Sequence, residues 1–146
     1  MTENFLYKIY LMNDNEISDK RISKDFKGIT FSNYKKSESK KELLNSLMEG
    51  KVEPACYWSI EFICAGHFSE LWDIILVFYS QHINISNPKL PLYMQMRFEN
   101  FKDIILNGYI DNELQSRNNQ KIRALFAELI AILTLSTKTH ALSQLK

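Results

Sequence analysis

The sequence contains few of the residues that interrupt regular structure or crosslink a chain: 4 glycines, 3 prolines and 2 cysteines in 146 residues. The tight turns of all-β folds use glycine and proline heavily, so this scarcity argues against a loop-rich all-β domain. Two cysteines are too few for a disulfide framework, and a chain of this length can bury a core without one. We expect a single domain with reduced thiols.

The chain also lacks a strong net charge, a long apolar run and an N-terminal signal. Its formal net charge is +1, which predicts no general attraction to nucleic acid or to a membrane. No apolar run reaches the roughly 18 to 20 residues that span a bilayer. The first residues lack the basic start and long apolar middle of a secretory signal. These absences predict a soluble, intracellular protein with no membrane partner.

Motifs for catalysis and cofactor binding are missing as well. The sequence contains neither G-x-x-x-x-G-K-[ST] nor G-x-G-x-x-G, so we expect no ATP hydrolysis. Cys56, Cys64 and His67 are close in sequence, but the two cysteines lie about two helical turns apart, too far to share one tetrahedral zinc ion. Gly66 interrupts the helix between Cys64 and His67, which disfavours a catalytic Cys–His pair. We predict no metal, no cofactor and no enzymatic activity.

What the sequence does contain is a series of helix start and stop signals. Ser37 or Ser39 can cap a helix through Met48, and Gly50 suits the left-handed position that follows. Later helices are predicted over Pro54–Ala65, Glu70–Gln81 (started by Ser69), Pro91–Leu106, Asp111–Ser116 and Asn119–Leu135. Helical spacing predicts two buried faces, formed by Met94, Phe98, Phe101 and Ile105 and by Ile122, Leu125, Phe126, Leu129, Ile130 and Leu133. The prediction is an all-α domain of about five to six helices.

The N-terminal part is expected to be an irregular extension packed on this helical core. Phe5–Met12 is apolar but too short for its periodicity to distinguish a strand from a helix. The following polar stretch is broken by Gly28. We therefore divide the chain into an extension over residues 1–36, a helical domain over 37–136 and a polar tail over 137–146.

Glu61 is the sole charged residue in the apolar run Ala55–Ala65. A carboxylate in a central helix must be paired, hydrogen-bonded or protonated. We expect a donor on a facing helix, and Arg97 and Arg123 are the predicted partners because each lies in an otherwise apolar helix. The alternative is that Glu61 faces solvent along a narrow polar edge. An enzyme built on Glu61 and His67 is the weakest hypothesis.

Basic residues are concentrated between Lys20 and Lys41. Residues 19–42 contain eight basic and four acidic residues, a net charge of +4, interleaved with three aromatic residues. Basic side chains neutralise phosphates and aromatic rings stack on bases. The candidate nucleic-acid contacts are Lys35, Lys36, Lys40, Lys41 and Tyr34. The competing interpretation is a solvated charged face whose aromatic residues anchor the extension on the core.

A pattern between residues 43 and 88 carries a family resemblance. Its positions are Ser46, Gly50, Pro54, Ala55, Tyr57, Trp58, Ala65, Gly66, Ser80, Ile83, Asn87 and Pro88. With these residues the segment resembles the helical collar domain of the MgsA/RarA group of clamp-loader-related AAA+ ATPases. The chain lacks that group's ATPase module, and Glu70-Leu71-Trp72-Asp73 stands where the second collar helix is basic. Collar helices of this kind associate subunits into rings, so the resemblance implies oligomerisation or a protein partner.

The whole chain, through FSNYKKS, ELLNSL, ACYWSIEFICAGH and NPKLP, also resembles proteins encoded by large eukaryotic DNA viruses. That likeness implies a setting, the infected host cell or the virion, and no activity. We therefore expect a non-enzymatic helical interaction or oligomerisation module, associated with a viral DNA replication or repair assembly. The alternative is a direct nucleic-acid-binding factor that uses the basic segment 20–41.

Overall fold

The computed structural model describes residues 19–83, 87–107 and 116–138. Within these ranges the protein is all-α, as predicted, with five α-helices, one short 3₁₀ turn at Ser23–Phe26 and no strand. The helices are α1 (Lys36–Glu49), α2 (Val52–Cys64), α3 (Phe68–His82), α4 (Leu90–Leu106) and α5 (Gln120–Leu135). The segment Phe5–Met12, the predicted helix from Asp111 as far as residue 115, and the tail beyond residue 138 lie outside the described residues.

Two predicted serine caps are wrong. α1 begins at Lys36, whose backbone N–H donates to the Gly28 carbonyl at 3.0 Å, so both Ser37 and Ser39 lie inside the helix and Lys35 holds the capping position. α3 begins at Phe68, one residue before Ser69, and His67 holds the capping position. In both cases tertiary contacts of the preceding loop determine where the helix starts.

Other helix ends follow the sequence closely. Gly50 ends α1 in the left-handed conformation with φ of 73°, and its N–H donates to the carbonyls of the last turn. Asn119 precedes α5, and its side-chain oxygen accepts a hydrogen bond of 3.0 Å from the Ile122 N–H. An asparagine in this position satisfies one of the amides that the first helical turn leaves free.

The hydrophobic core lies around α2 and α5. These two helices pack on each other more extensively than any other pair, and α1 covers them from one side. All six residues of the predicted α5 face are buried, as are Ala55, Phe62 and Ile63 of α2. α2 and α5 therefore form the centre of the domain, and the other helices are laid over them.

α3 and α4 both rest on α5, and their backbones lie apart from each other. A cluster of aromatic rings joins α3 and α4 where both contact α5. The centroid of the Trp72 ring of α3 lies 5.7 Å from that of Phe101 of α4 and 4.9 Å from that of Phe126 of α5. Edge-on and tilted rings at these distances attract one another beyond the area they bury. The consequence of this arrangement is an open groove between α3 and α4.

Candidate functional site

The described part of the N-terminal extension, residues 19–35, folds against the carboxyl end of α2. Two polar clusters hold it there, one around Glu61 and one around Arg117. The Phe31 N–H also donates to the Glu61 carbonyl at 3.2 Å, and a ring nitrogen of His67 bonds to the Ile29 carbonyl at 2.8 Å. We call the contact formed by Asp19, Thr30, Ser32, Glu61 and Arg117 the polar seam.

Glu61 is 4 % exposed and accepts three hydrogen bonds from the extension. The Thr30 hydroxyl donates to Oε1 at 2.9 Å, the Ser32 N–H donates to Oε1 at 2.8 Å, and the Ser32 hydroxyl donates to Oε2 at 2.8 Å. Three neutral donors compensate the carboxylate for the water it loses on burial. Glu61 thus anchors a loop, and its exposure excludes the solvent-facing alternative.

The predicted pairing of Glu61 with Arg97 or Arg123 is wrong. Arg97 is paired instead with Glu128 of α5, and it also donates to the Tyr93 hydroxyl at 3.1 Å. Arg123 donates to the Asn118 carbonyl at 2.9 Å. Helical spacing identifies which helices face one another, but it cannot show that a loop 29 to 31 residues upstream would provide the donors.

Arg117 is the charged residue that the sequence analysis missed. It is fully buried. One terminal nitrogen donates to the Cys64 carbonyl at 2.6 Å, and the other donates to the Asp19 carboxylate at 2.7 Å and to the Arg21 carbonyl at 2.6 Å. Its guanidinium also lies 5.0 Å from the centre of the Phe26 ring. Arg117 therefore joins the extension to the last turn of α2, although its polar sequence neighbours gave no sign of burial.

Asp19 completes this second cluster. The Arg21 side chain is the main reason that the pKa of the Asp19 carboxyl is held well below its usual range, with further contributions from the Arg21 N–H and from Arg117. A carboxylate stabilised by two guanidinium groups and a backbone amide strongly prefers its charged form. The contact is thus an ion pair under ordinary conditions, and its role is to hold the chain in place.

The thiols of Cys56 and Cys64 are buried. Loss of water raises the pKa of Cys56 to about 12 and that of Cys64 to about 11, so both remain protonated near neutral pH. A protonated thiol is a poor nucleophile and a poor metal ligand. Over the described ranges, no group of three or more His, Cys, Asp or Glu residues is placed to hold a metal ion.

The candidate nucleic-acid contacts divide into two groups. Lys35, Lys40 and Lys41 are exposed. Lys36 is paired with Glu70 of α3 at 2.7 Å. The Tyr34 side chain is 39 % exposed, and its ring packs edge-on against Trp58, with centroids 4.9 Å apart.

The Tyr34 hydroxyl also shares a hydrogen bond of 3.1 Å with that of Tyr57, which raises the pKa of Tyr57 to about 12. Tyr34 is thus engaged with α2. Three lysines remain as exposed cations, and acidic residues are interspersed among them.

The described residues form a groove between α3 and α4 with a volume of about 900 Å³. Trp72 and Phe101 form its floor, Leu76 lies on the α3 wall, and Met94 and Phe98 lie on the α4 wall. Asp73 is the one charged residue among those that line it. We call this surface the α3–α4 groove.

Apolar side chains remain exposed in and beside this groove. Leu76 is 51 % exposed and Phe98 is 36 % exposed, while Leu92 and Met96 on the outer face of α4 are 75 % and 61 % exposed. Helical spacing predicted Phe98 to be buried in the core, and this was wrong because its ring packs on Trp72 of α3 on one side, with centroids 5.1 Å apart, and borders the groove on another. The sequence did signal an excess of apolar residues in α4, but not which of them face solvent.

These observations define the class of the protein as an all-α domain of five described helices, with a closed polar seam on one side and an open apolar groove on another. Comparisons with family models, with curated proteins and with solved structures found no match. The collar resemblance and the viral resemblance therefore stay predictions. None of the described helices has the length and apolar character needed to cross a membrane.

Proposed function

We propose that this chain is a non-enzymatic helical interaction module and that the α3–α4 groove is its binding surface. The observation that carries the proposal is the exposure of Leu76 and Phe98 in a groove with an aromatic floor, beside Leu92 and Met96, which are exposed on the outer face of α4. Large contiguous apolar patches are uncommon on monomeric soluble proteins and mark interaction sites. A groove between two helices accepts the apolar face of a third helix.

The chemistry of the remaining polar groups supports the same proposal. Glu61 and Arg117 are engaged in holding the extension, and the two cysteines are protonated and buried. A catalytic site normally requires a nucleophile or base exposed in a cleft with a neighbouring group that activates it. Asp73 and Tyr79 are the titratable residues among the described residues that line the groove, and the Tyr79 hydroxyl donates to the Asn87 carbonyl at 3.3 Å, so the lining favours a contact surface over a catalytic one.

The assembly in which this module acts is proposed from resemblance alone. The collar-like pattern over residues 43–88 and the likeness to proteins of large DNA viruses favour a viral DNA replication or repair assembly. In such an assembly a helical domain without an ATPase module would serve as a contact between subunits or between partners.

The proposal is tested by affinity purification of the tagged chain from the cells in which it is made. Wild type is compared with Leu76→Asp, which places a charge in the groove wall, and with Leu135→Asp as a matched control. Leu135 is also exposed, at 60 %, but lies at the far end of α5. We expect at least about a tenfold loss of captured partner for Leu76→Asp and little change for the control. Equal capture by all three proteins contradicts the proposal.

A second candidate function is direct nucleic-acid binding through residues 20–41. It is favoured by the exposure of Lys35, Lys40 and Lys41 in a segment of net positive charge. Weighing against it are the salt bridge that engages Lys36 and the packing of Tyr34 on Trp58. A partly covered ring provides only a limited stacking surface for a base.

Fluorescence anisotropy with labelled single-stranded and double-stranded oligonucleotides tests this candidate. Replacing Lys35, Lys40 and Lys41 by glutamine should weaken binding and reduce the salt dependence of the logarithm of the binding constant by roughly three units. Lys121→Gln, an exposed lysine on α5, is the control for loss of one charge elsewhere. Affinity that persists after the triple replacement rules out this site.

A further inference from the structure

α4 forms one wall of the α3–α4 groove and also carries an exposed apolar outer face. Leu90, Met94 and Phe101 of α4 face the core and are buried. Leu92 and Met96, one helical turn apart, point away from the core and are exposed. A helix that is apolar on two faces is typical of one that is covered on both.

We propose that the occupant of the α3–α4 groove is helix α4 of a second copy of this chain. This inference rests on the proposed function and names the partner. In a two-fold dimer both copies use the same patch, so the groove and the helix that fills it must be present on one surface. α4 meets this requirement, since it forms one wall of the groove and carries exposed leucine and methionine side chains beside it.

The exposed apolar area is sufficient for such a dimer. Leu92 at 75 %, Met96 and Leu106 at 61 % each, Leu76 at 51 % and Phe98 at 36 % exposure together present on the order of 500 Å² of surface. A stable interface buries roughly 800 Å² on each partner, a little over half of it apolar. The patch therefore provides the apolar core of an interface of ordinary size.

The electrostatics of the groove are compatible with the same occupant. Asp73 is the single charged residue among the described residues that line the groove, so an incoming helix desolvates few charges of the groove itself. The incoming α4 brings three exposed charged side chains, Glu99, Lys102 and Asp103, of which Glu99 and Lys102 are paired with each other at 3.2 Å. An α4 of 17 residues is about 25 Å long, enough to follow the groove over several turns.

The test is the molar mass of the purified full chain, measured by light scattering and sedimentation between about 1 and 500 µM. We expect the mass to rise from 17.2 kDa toward twice that value. Leu92→Glu combined with Met96→Glu should raise the dimer dissociation constant at least about 100-fold. Leu135→Glu, the same change at a similarly exposed leucine, should alter it less than about threefold. Circular dichroism verifies that all variants keep their helical content.

The outcomes separate this inference from the proposed function. A chain that stays monomeric throughout, or a dimer that the Leu92/Met96 variant leaves intact, overturns the inference. The proposed function survives a monomeric result if Leu76→Asp still abolishes capture of another protein. Both are wrong if the chain neither self-associates nor captures a partner through the groove.

Discussion

The polar seam and the α3–α4 groove are opposite kinds of surface. In the seam, charged residues are buried and their partners are supplied by the chain itself, as with Glu61 and its three donors. In the groove, apolar residues are exposed, and none of the described segments of the chain covers them. A buried charge whose hydrogen bonds are satisfied stabilises one conformation of the chain. Exposed apolar surface favours binding, because binding removes that surface from water. We therefore propose a structural role for the polar seam and a binding role for the α3–α4 groove.

The largest effect is expected at Arg117, because removing it leaves the Asp19 carboxylate and the carbonyls of Cys64 and Arg21 without their buried donor. Arg117→Ala should lower the free energy of unfolding by about 3 to 5 kcal/mol, measured by urea denaturation. Lys51→Ala removes an exposed ion pair with Glu49 and should cost less than about 1 kcal/mol. If the two variants are equally stable, the seam does not have the role assigned here.

A smaller effect is expected at Glu61. Glu61→Ala strands the Thr30 hydroxyl and the Ser32 N–H, and should cost about 2 to 3 kcal/mol. Glu61→Gln keeps the shape and one acceptor oxygen, so it should cost about 1 kcal/mol. Limited proteolysis provides a second readout, since the Ala variant should be cleaved faster within residues 19–35 while α5 stays protected. Equal cleavage rates in both variants would argue against the anchoring role.

Arg117 and Glu61 show which features of the structure could be predicted from the sequence and which could not. The helices and the α5 face follow from local periodicity and end signals, which act over a few residues. The sequence predicts Glu61 as a buried acid with a solvent-facing position as the alternative, but its donors lie 29 to 31 residues upstream and no local pattern identifies them. Arg117 is surrounded in sequence by polar residues, so its burial depends entirely on the extension folding over it. The groove depends on how α3 and α4 diverge, a property of tertiary packing.

The third prediction concerns pH and has the smallest expected size. The pKa of Asp19 is lowered in the folded state, chiefly by Arg21. The stabilisation from its charged form is complete above the unfolded-state pKa of about 4 and is lost as the pH falls toward the folded-state value. Wild type should therefore exceed Asp19→Asn in stability at pH 7, and the difference should shrink between about pH 5 and pH 2. A difference that does not change with pH would contradict the ion pair.

Hydrogen–deuterium exchange tests the comparison between the two regions most directly. Exchange of the free chain at low concentration is compared with that of the assembled protein, either self-associated or bound to its captured partner. The account predicts added protection in α3 and α4, over Phe68–His82 and Leu90–Leu106, with residues 20–41 unchanged because the seam is already closed. Protection confined to residues 20–41, with α3 and α4 unaffected, would contradict it.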